Sequence, residues 1–222
     1  MTNPIPEAVE EFAGLVGQQR DAVVREMDEY AADTGFPTVG PAVGGWFRLL
    51  AAAVDAERVF EFGSGFGYSA YWFAEAVGPE GTVVLCEYDA DNCERAREYL
   101  ERGGYLERCV IEQGDAVEAV GGYEGPFDAV LIDNEKHRYR EAFEAVRGKV
   151  APGGLVLADN AMTAGSIEFD ALGTLLTGGD VDTTGSTRGV ADYLEAVRAA
   201  EEFETALLPL GEGVAVSRRA GQ

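Results

Sequence analysis

Lysine is almost missing from this chain: Lys136 and Lys149 are the only two in 222 residues, His137 is the only histidine, and the other basic side chains are arginine. With 17 Lys and Arg against 40 Asp and Glu, the net charge is −23. A surface so poor in positive charge repels phosphate backbones and anionic lipid, which excludes nucleic-acid and membrane-surface partners. Cysteine is scarce as well. Cys86, Cys93 and Cys109 are odd in number and lack CxxC spacing, which excludes a disulfide framework and a zinc site; Cys86 and Cys109 sit in strand-like runs and are expected to pack. No apolar run approaches the roughly 20 residues of a membrane helix. Met1-Thr2-Asn3-Pro4 has no basic region followed by an apolar one, so the expected location is the cytoplasm.

What is present points to a compact protein. Apolar residues make up 46% and aromatics 10%, and the charges are spread along the chain instead of gathered in tails, the opposite of a disordered composition. The length suits one α/β domain, expected to span residues 1–222, with N-terminal helices over 1–56 and a core over 57–222. The acid excess and the preference for arginine resemble proteins of salt-loving organisms, whose carboxylates hold water at the surface.

Apolar residues recur at Val9, Phe12, Val16, Val23, Met27 and Tyr30, which predicts one N-terminal helix ended by Gly35-Phe36-Pro37. A second helix, Pro41 to Val54, leads into the apolar run Arg58–Phe62. From there helices alternate with strands: helix 68–77, strand 82–86, helix 90–102, strand 109–112, a short helix from Ala116, strand 127–132, helix 138–150 and strand 155–158. That alternation predicts a Rossmann-like, doubly wound, mostly parallel sheet with helices on both faces. Met162 to Ser186 is rich in glycine and threonine and reads as a loop-rich cover. Helix 187–200 then leads to runs 203–208 and 214–217, joined by Pro209-Leu210-Gly211-Glu212-Gly213, a closing antiparallel hairpin. Seven strands result.

Glu61-Phe62-Gly63-Ser64-Gly65-Phe66-Gly67-Tyr68-Ser69 lies where the first strand meets a helix. Glycines there let the backbone turn tightly and approach a ligand, at the usual ligand crevice of an open α/β sheet. A dinucleotide fingerprint would need glycine at position 68, where Tyr68 stands, so the pyrophosphate reading is weakened. A tight structural turn remains the alternative. Glu87 ends the second strand and can accept both ribose hydroxyls, although dinucleotide enzymes carry such an acid too. Tyr88 could lie against an adenine ring, flanked by Asp115 and Ala116; equally, Asp115 could simply cap a helix.

Two further acids and an amide fall at the ends of adjacent strands: Asp133 after Ile132, and Asp159 and Asn160 after Ala158. Oxygen donors of this kind suit a hard cation such as Mg²⁺, which leaves positions open for water and substrate. Lys136 follows three residues after Asp133, close enough to place an amine beside that site. The plain alternative is that these acids cap turns at strand ends. His137 reads as an incidental exposed neighbour, and Arg188 as a structural residue paired with an acid.

Taken with GxGxG after an acid, these motifs resemble class I S-adenosylmethionine-dependent methyltransferases, and within them the metal-dependent O-methyltransferases that include catechol and caffeoyl-CoA O-methyltransferases. The resemblance covers about Gly35 to Ser217. It implies that Asp133, Asp159 and Asn160 bind a divalent cation and that Lys136 is the catalytic base. It further implies that Val39, Gly40 and Ser69 hold the methionine part of S-adenosylmethionine and that Glu61 lies near its amino group. The acceptor would be a hydroxyl of a small catechol-like or phenolic molecule. Where the family often has aromatic residues, this chain has Ala161-Met162-Thr163-Ala164-Gly165, which leaves the acceptor's shape open, and Asn134-Glu135 replaces bulkier residues of some relatives. Homodimers are frequent in the family through N-terminal helices, a role the Val9–Tyr30 segment could take. Three other readings compete: a metal-independent methyltransferase of the same fold acting on nitrogen, sulfur or carboxylate; a nicotinamide-dependent oxidoreductase; and a non-catalytic cofactor-binding protein.

Overall fold

Alternation along the strands divides the core into two apolar layers. Val59, Val83, Leu85, Ala129, Leu131, Leu155 and Leu157 face one side. Phe60, Phe62, Val84, Val130, Ile132 and Val156 face the other. Because both faces are covered, the strands read in sequence as continuous apolar runs.

The computed structural model describes residues 4–17 and 20–221; the leader reading of residues 1–3 falls outside them. The strands are β1 (Arg58–Phe62), β2 (Thr82–Glu87), β3 (Cys109–Gln113), β4 (Phe127–Ile132), β5 (Val150–Ala158), β6 (Phe203–Leu208) and β7 (Val214–Arg219). They form one seven-stranded sheet in the order β3-β2-β1-β4-β5-β7-β6. β1 to β5 are parallel, and β7 and β6 close the sheet as an antiparallel hairpin. This is the doubly wound class I methyltransferase fold with the expected hairpin. Among the described residues no helix is long and apolar enough to cross a membrane.

Helices α1 (Glu7–Val16), α2 (Ala22–Thr34) and α3 (Gly40–Ala53) precede the sheet. The single helix predicted over Val9 to Tyr30 is therefore two. Gly17 ends the first, residues 18 and 19 lie outside the description, and Asp21 starts the second by accepting the Val24 N–H at 2.8 Å. A side-chain cap of this kind fixes a helix start more strongly than a continuous apolar spacing can carry a helix through. Between strands run α4 (Tyr68–Ala76), α5 (Ala90–Arg102), α6 (Ala116–Ala119), α7 (Tyr139–Val146), α8 (Phe169–Leu176) and α9 (Gly185–Ala199). α7 is shorter than the predicted 138–150 because single tight turns flank it at Lys136–Arg138 and Arg147–Lys149. α8 lies inside the segment read as a loop-rich cover. Leu172 is its one buried residue, so the helix forms by packing against α9 and carries little periodicity of its own.

The cysteines pack, as expected. All three are free thiols, with Cys86 and Cys93 buried. Burial pushes the Cys109 thiol up to about 12 and Cys86 higher still, which keeps both protonated and inert.

Candidate active site

Register explains why the candidate residues meet. Phe62 pairs with Ile132, and Ile132 with Ala158, so one step further the chain sets Gly63, Asp133 and Asp159 side by side at the carboxyl ends of three central strands. The Asp133 N–H donates to the Phe62 carbonyl at 2.9 Å and the Asp159 N–H to the Ile132 carbonyl at 3.2 Å. A cleft of about 580 Å³ opens there, at the place where open α/β sheets take ligands. It is lined by Val39, Gly63, Ser64, Gly65, Ser69, Glu87, Tyr88, Asp133, Lys136, Asp159 and Asn160 among the expected residues.

The glycine loop forms its wall. Gly63 and Gly67 have φ of 79° and 84°, a region that strains any side chain. A Cβ on Gly63 would lie 2.7 Å from the Asp133 carbonyl oxygen, and one on Gly67 2.9 Å from the Ala96 Cβ. Gly67 therefore serves α4–α5 packing instead of contacting the cleft. The loop's own N–H groups are largely committed: Gly63 and Ser64 donate to the Cys86 carbonyl at 3.1 and 3.0 Å, and Gly65 donates to Glu87 Oε2 at 2.9 Å. Few donors remain to cradle a pyrophosphate. Glu87 Oε1 accepts the Asp89 N–H at 2.9 Å, so each oxygen of this cleft-lining carboxylate keeps capacity for a further hydrogen bond.

Glu61 lies beneath this wall, fully buried. Ser69 donates its hydroxyl to Oε1, while Oε2 has no partner. Burial pushes the carboxyl up to about 8, assisted by the charges of Asp133 and Glu87 and opposed by the Ser69 hydrogen bond. An orphaned acceptor in so acidic a setting fits a ligand amine. Between its ordinary value of 4.5 and about 8 the folded state keeps a proton that the unfolded chain loses, so this group lowers stability as pH rises through that window. Glu61→Gln is expected to remove that share of the slope, up to about 1.4 kcal/mol per pH unit. Urea unfolding of the ligand-free protein at about pH 5.5 and about pH 7.5 measures it; an unchanged slope would refute the raised value.

The second wall holds the acids and the amine. Lys136 Nζ donates to Asp133 Oδ1 at 2.8 Å, the Asn134 carbonyl at 3.3 Å and the Tyr139 hydroxyl at 2.7 Å. The Tyr139 hydroxyl in turn donates to the Asp159 carbonyl at 3.1 Å, so this fully buried ring ties the amine to the neighbouring strand end. Asn160, at φ 52°, donates its amide to Glu212. Burial raises the Asp159 carboxyl well above its ordinary value, and the Asp133 charge adds to the effect; Asp133 is also raised by burial, with Lys136 pulling it back. Two neighbouring acids shielded from water, with one amine bonded to Asp133 alone of the two, call for more positive charge. Their oxygens and the Asn160 amide oxygen match a hard divalent cation. Among the described residues no group of three or more His, Cys, Asp or Glu side chains is arranged to hold a metal, so such a site depends on the amide as its third donor.

Tyr139, Glu212 and Gly189 were not identified from sequence. Glu212 had a signal, an acid between two glycines in the closing hairpin; the other two had none, because their roles come from tertiary contact. A Cβ on Gly189 would collide with the Lys136 carbonyl oxygen and the His137 Cα, since α9 packs directly on the turn that carries Lys136. Gly189→Ala is expected to shift that turn and lower turnover by about 100-fold, the scale of an ångström-sized misplacement. Turnover measured beside a retained circular-dichroism spectrum checks this; full activity would show the turn is free to move.

Other expected residues lie elsewhere. Asp115 caps α6 by accepting from Val117 and Glu118 at 2.8 and 3.3 Å and pairs with Arg138 at 2.6 Å; neither Asp115 nor Ala116 lines the cleft. Tyr88 lines it and is largely exposed. His137 is exposed. Arg188 donates to the Val181 carbonyl at 2.6 Å and stands 3.9 Å from Asp180, a structural tether. Of the segment after Asn160, Ala161 and Met162 are buried, and the cleft is walled by Ala164, Gly165 and Ser166.

Fold and site together define an α/β enzyme of the class I methyltransferase type. The family model described as O-methyltransferase matches residues 21–220, and the chain belongs to that family of S-adenosylmethionine-dependent enzymes. It is 32% identical over 174 residues to a catechol O-methyltransferase of Niastella koreensis, covering 75% of this chain and 78% of that one. It is 26% identical over 186 residues to a caffeoyl-CoA O-methyltransferase of Petroselinum crispum, covering 79% and 74%. Among solved structures, an O-methyltransferase from Bacillus cereus in complex with SAH superposes with a TM-score of 0.81 at 23% identity, over 96% of this chain and 97% of that one.

Proposed function

We propose that this protein methylates a hydroxyl of a small catechol-like or phenolic acceptor, with a divalent cation such as Mg²⁺ held by Asp133, Asp159 and Asn160 and with Lys136 as the base. The observation that carries the reading is that Asp133, Asp159, Asn160 and Lys136 line one cleft with Gly63, Ser64 and Gly65 of the glycine loop. A bound divalent cation supplies Lewis acidity, which lowers the pKa of a chelated hydroxyl from near 10. The donor, S-adenosylmethionine, supplies an electrophilic methyl on a sulfonium.

The chain's own groups divide the remaining work. Glu61 Oε2 is free to accept from the donor's amino group, Glu87 from its ribose, and Val39 and Ser69 border the methionine end, while Tyr88 offers its ring to the adenine. Asp133, Asp159 and Asn160 orient the reacting oxygen. Lys136 first releases one ammonium proton to solvent and gives up one of its three donated hydrogen bonds, and its Nζ lone pair then receives the proton the hydroxyl loses. The cleft lining carries Glu87, Asp133, Glu135, Asp159 and Glu212 against Lys136 alone. Such a field favours a cationic sulfonium donor over an anionic dinucleotide, and the committed loop amides argue the same way against the oxidoreductase reading.

One observation favours a second reading, a metal-independent methyltransferase of the same fold: Lys136 already neutralises Asp133 at 2.8 Å. A methyl-transfer screen over vicinal diols and simple phenols, run in low and in concentrated salt, tests both. Activity lost with chelator and restored by Mg²⁺ is the expected result; activity indifferent to chelator would replace the first reading by the second. Calorimetry giving binding of NAD and not S-adenosylmethionine would end both.

A further inference from the structure

We infer that the cleft selects its acceptor by charge, taking neutral or cationic diols and rejecting those that carry a carboxylate or phosphate. The inference rests on the methyltransferase reading and narrows its substrate class. Five carboxylates and one amine line the cleft, and the amine is fully committed to Asp133, Asn134 and Tyr139. A divalent cation on Asp133 and Asp159 would offset those two charges and, with Glu87 taken by the donor's ribose, still leave Glu135 and Glu212 as acids of the lining.

Among the described residues no arginine lines the cleft. Arg138 is held by Asp115 and Glu141 at 2.6 and 2.7 Å, and Arg188 donates away from the cleft to the Val181 carbonyl. The wall beside Asn160 is Ala164, Gly165 and Ser166, which have space but no positive charge. A coenzyme A thioester brings several phosphates into this field, whereas a catechol bearing an ammonium chain is drawn to it. Like-charge opposition of this kind suppresses the wrong partner more than it strengthens the right one.

The experiment compares kcat/KM of the full chain, with S-adenosylmethionine and Mg²⁺, for four acceptors. These are catechol itself, a catechol with an ethylammonium side chain, a catechol carboxylate, and a catechol acid joined to coenzyme A. The ammonium and neutral acceptors should exceed the carboxylate and the thioester by about tenfold or more at about 50 mM salt, and the spread should shrink at about 1 M salt, where screening acts within about 3 Å. Glu135→Lys, an exposed position at the cleft, should raise the carboxylate relative to the neutral diol. A carboxylate or thioester that matches or exceeds catechol overturns charge selection while leaving the methyltransferase reading intact. Failure of all four acceptors overturns both.

Discussion

Asp159→Asn is expected to give a protein that is more stable and nearly inactive. The wild-type carboxyl is buried, and both burial and the Asp133 charge hold it well above the usual carboxylate range. In the unfolded chain it ionises near pH 4; in the folded chain it resists, so at neutral pH it subtracts from stability. Asparagine keeps the size and an acceptor oxygen while removing the charge, which should add about 1–2 kcal/mol at pH 7 and nothing below about pH 4, where the acid is protonated in both states. Turnover should fall at least about 100-fold, because the remaining donors no longer offset a divalent cation. Paired measurements of melting temperature and methyl transfer across pH decide it. A variant that is both less stable and fully active would mean that Asp159 merely caps its strand end.

How much of this was legible beforehand follows from where each signal resides. β1 and β4 were predicted with their observed ends, because short apolar runs are what a strand covered on both faces requires; β6, an edge strand exposed along much of its length, was delimited by Pro209 and the turn that follows it. Asp133, Asp159 and Asn160 were legible for a related reason: a polar residue just after such a run must emerge at the strand's carboxyl end, and parallel strands emerge together. The N-terminal break was written in Gly17 and Asp21, but apolar spacing continues across it and hid it. α8 could not be read, since its helicity depends on α9. Tyr139 has no signal of its own in the sequence; only the fold brings its hydroxyl to the Lys136 amine and the Asp159 carbonyl. Asp115 shows the reverse: Oδ1 caps α6 and Oδ2 accepts from Arg138, so both of its oxygens are taken outside the cleft.

Lys136→Met is expected to lower kcat by about 10²- to 10⁴-fold, the usual contribution of a positioned acid or base, while KM for donor and acceptor changes only a few-fold. The stem of methionine fills the lysine channel, so the loss should be confined to the amine. That result alone does not separate a base from a fixed positive charge, because the amine is paired with Asp133 at 2.8 Å and could serve by field alone. Lys136→Arg separates them. Arginine keeps the charge and can still donate to Asp133 and Tyr139, but with a pKa above 12 it does not accept a proton at neutral pH. A base at this position therefore predicts that Lys136→Arg is as inactive as Lys136→Met, and that both regain part of the lost rate as rising pH ionises the acceptor without help. An arginine variant that keeps more than about a tenth of wild-type kcat would show that charge, not proton transfer, is what the site takes from Lys136.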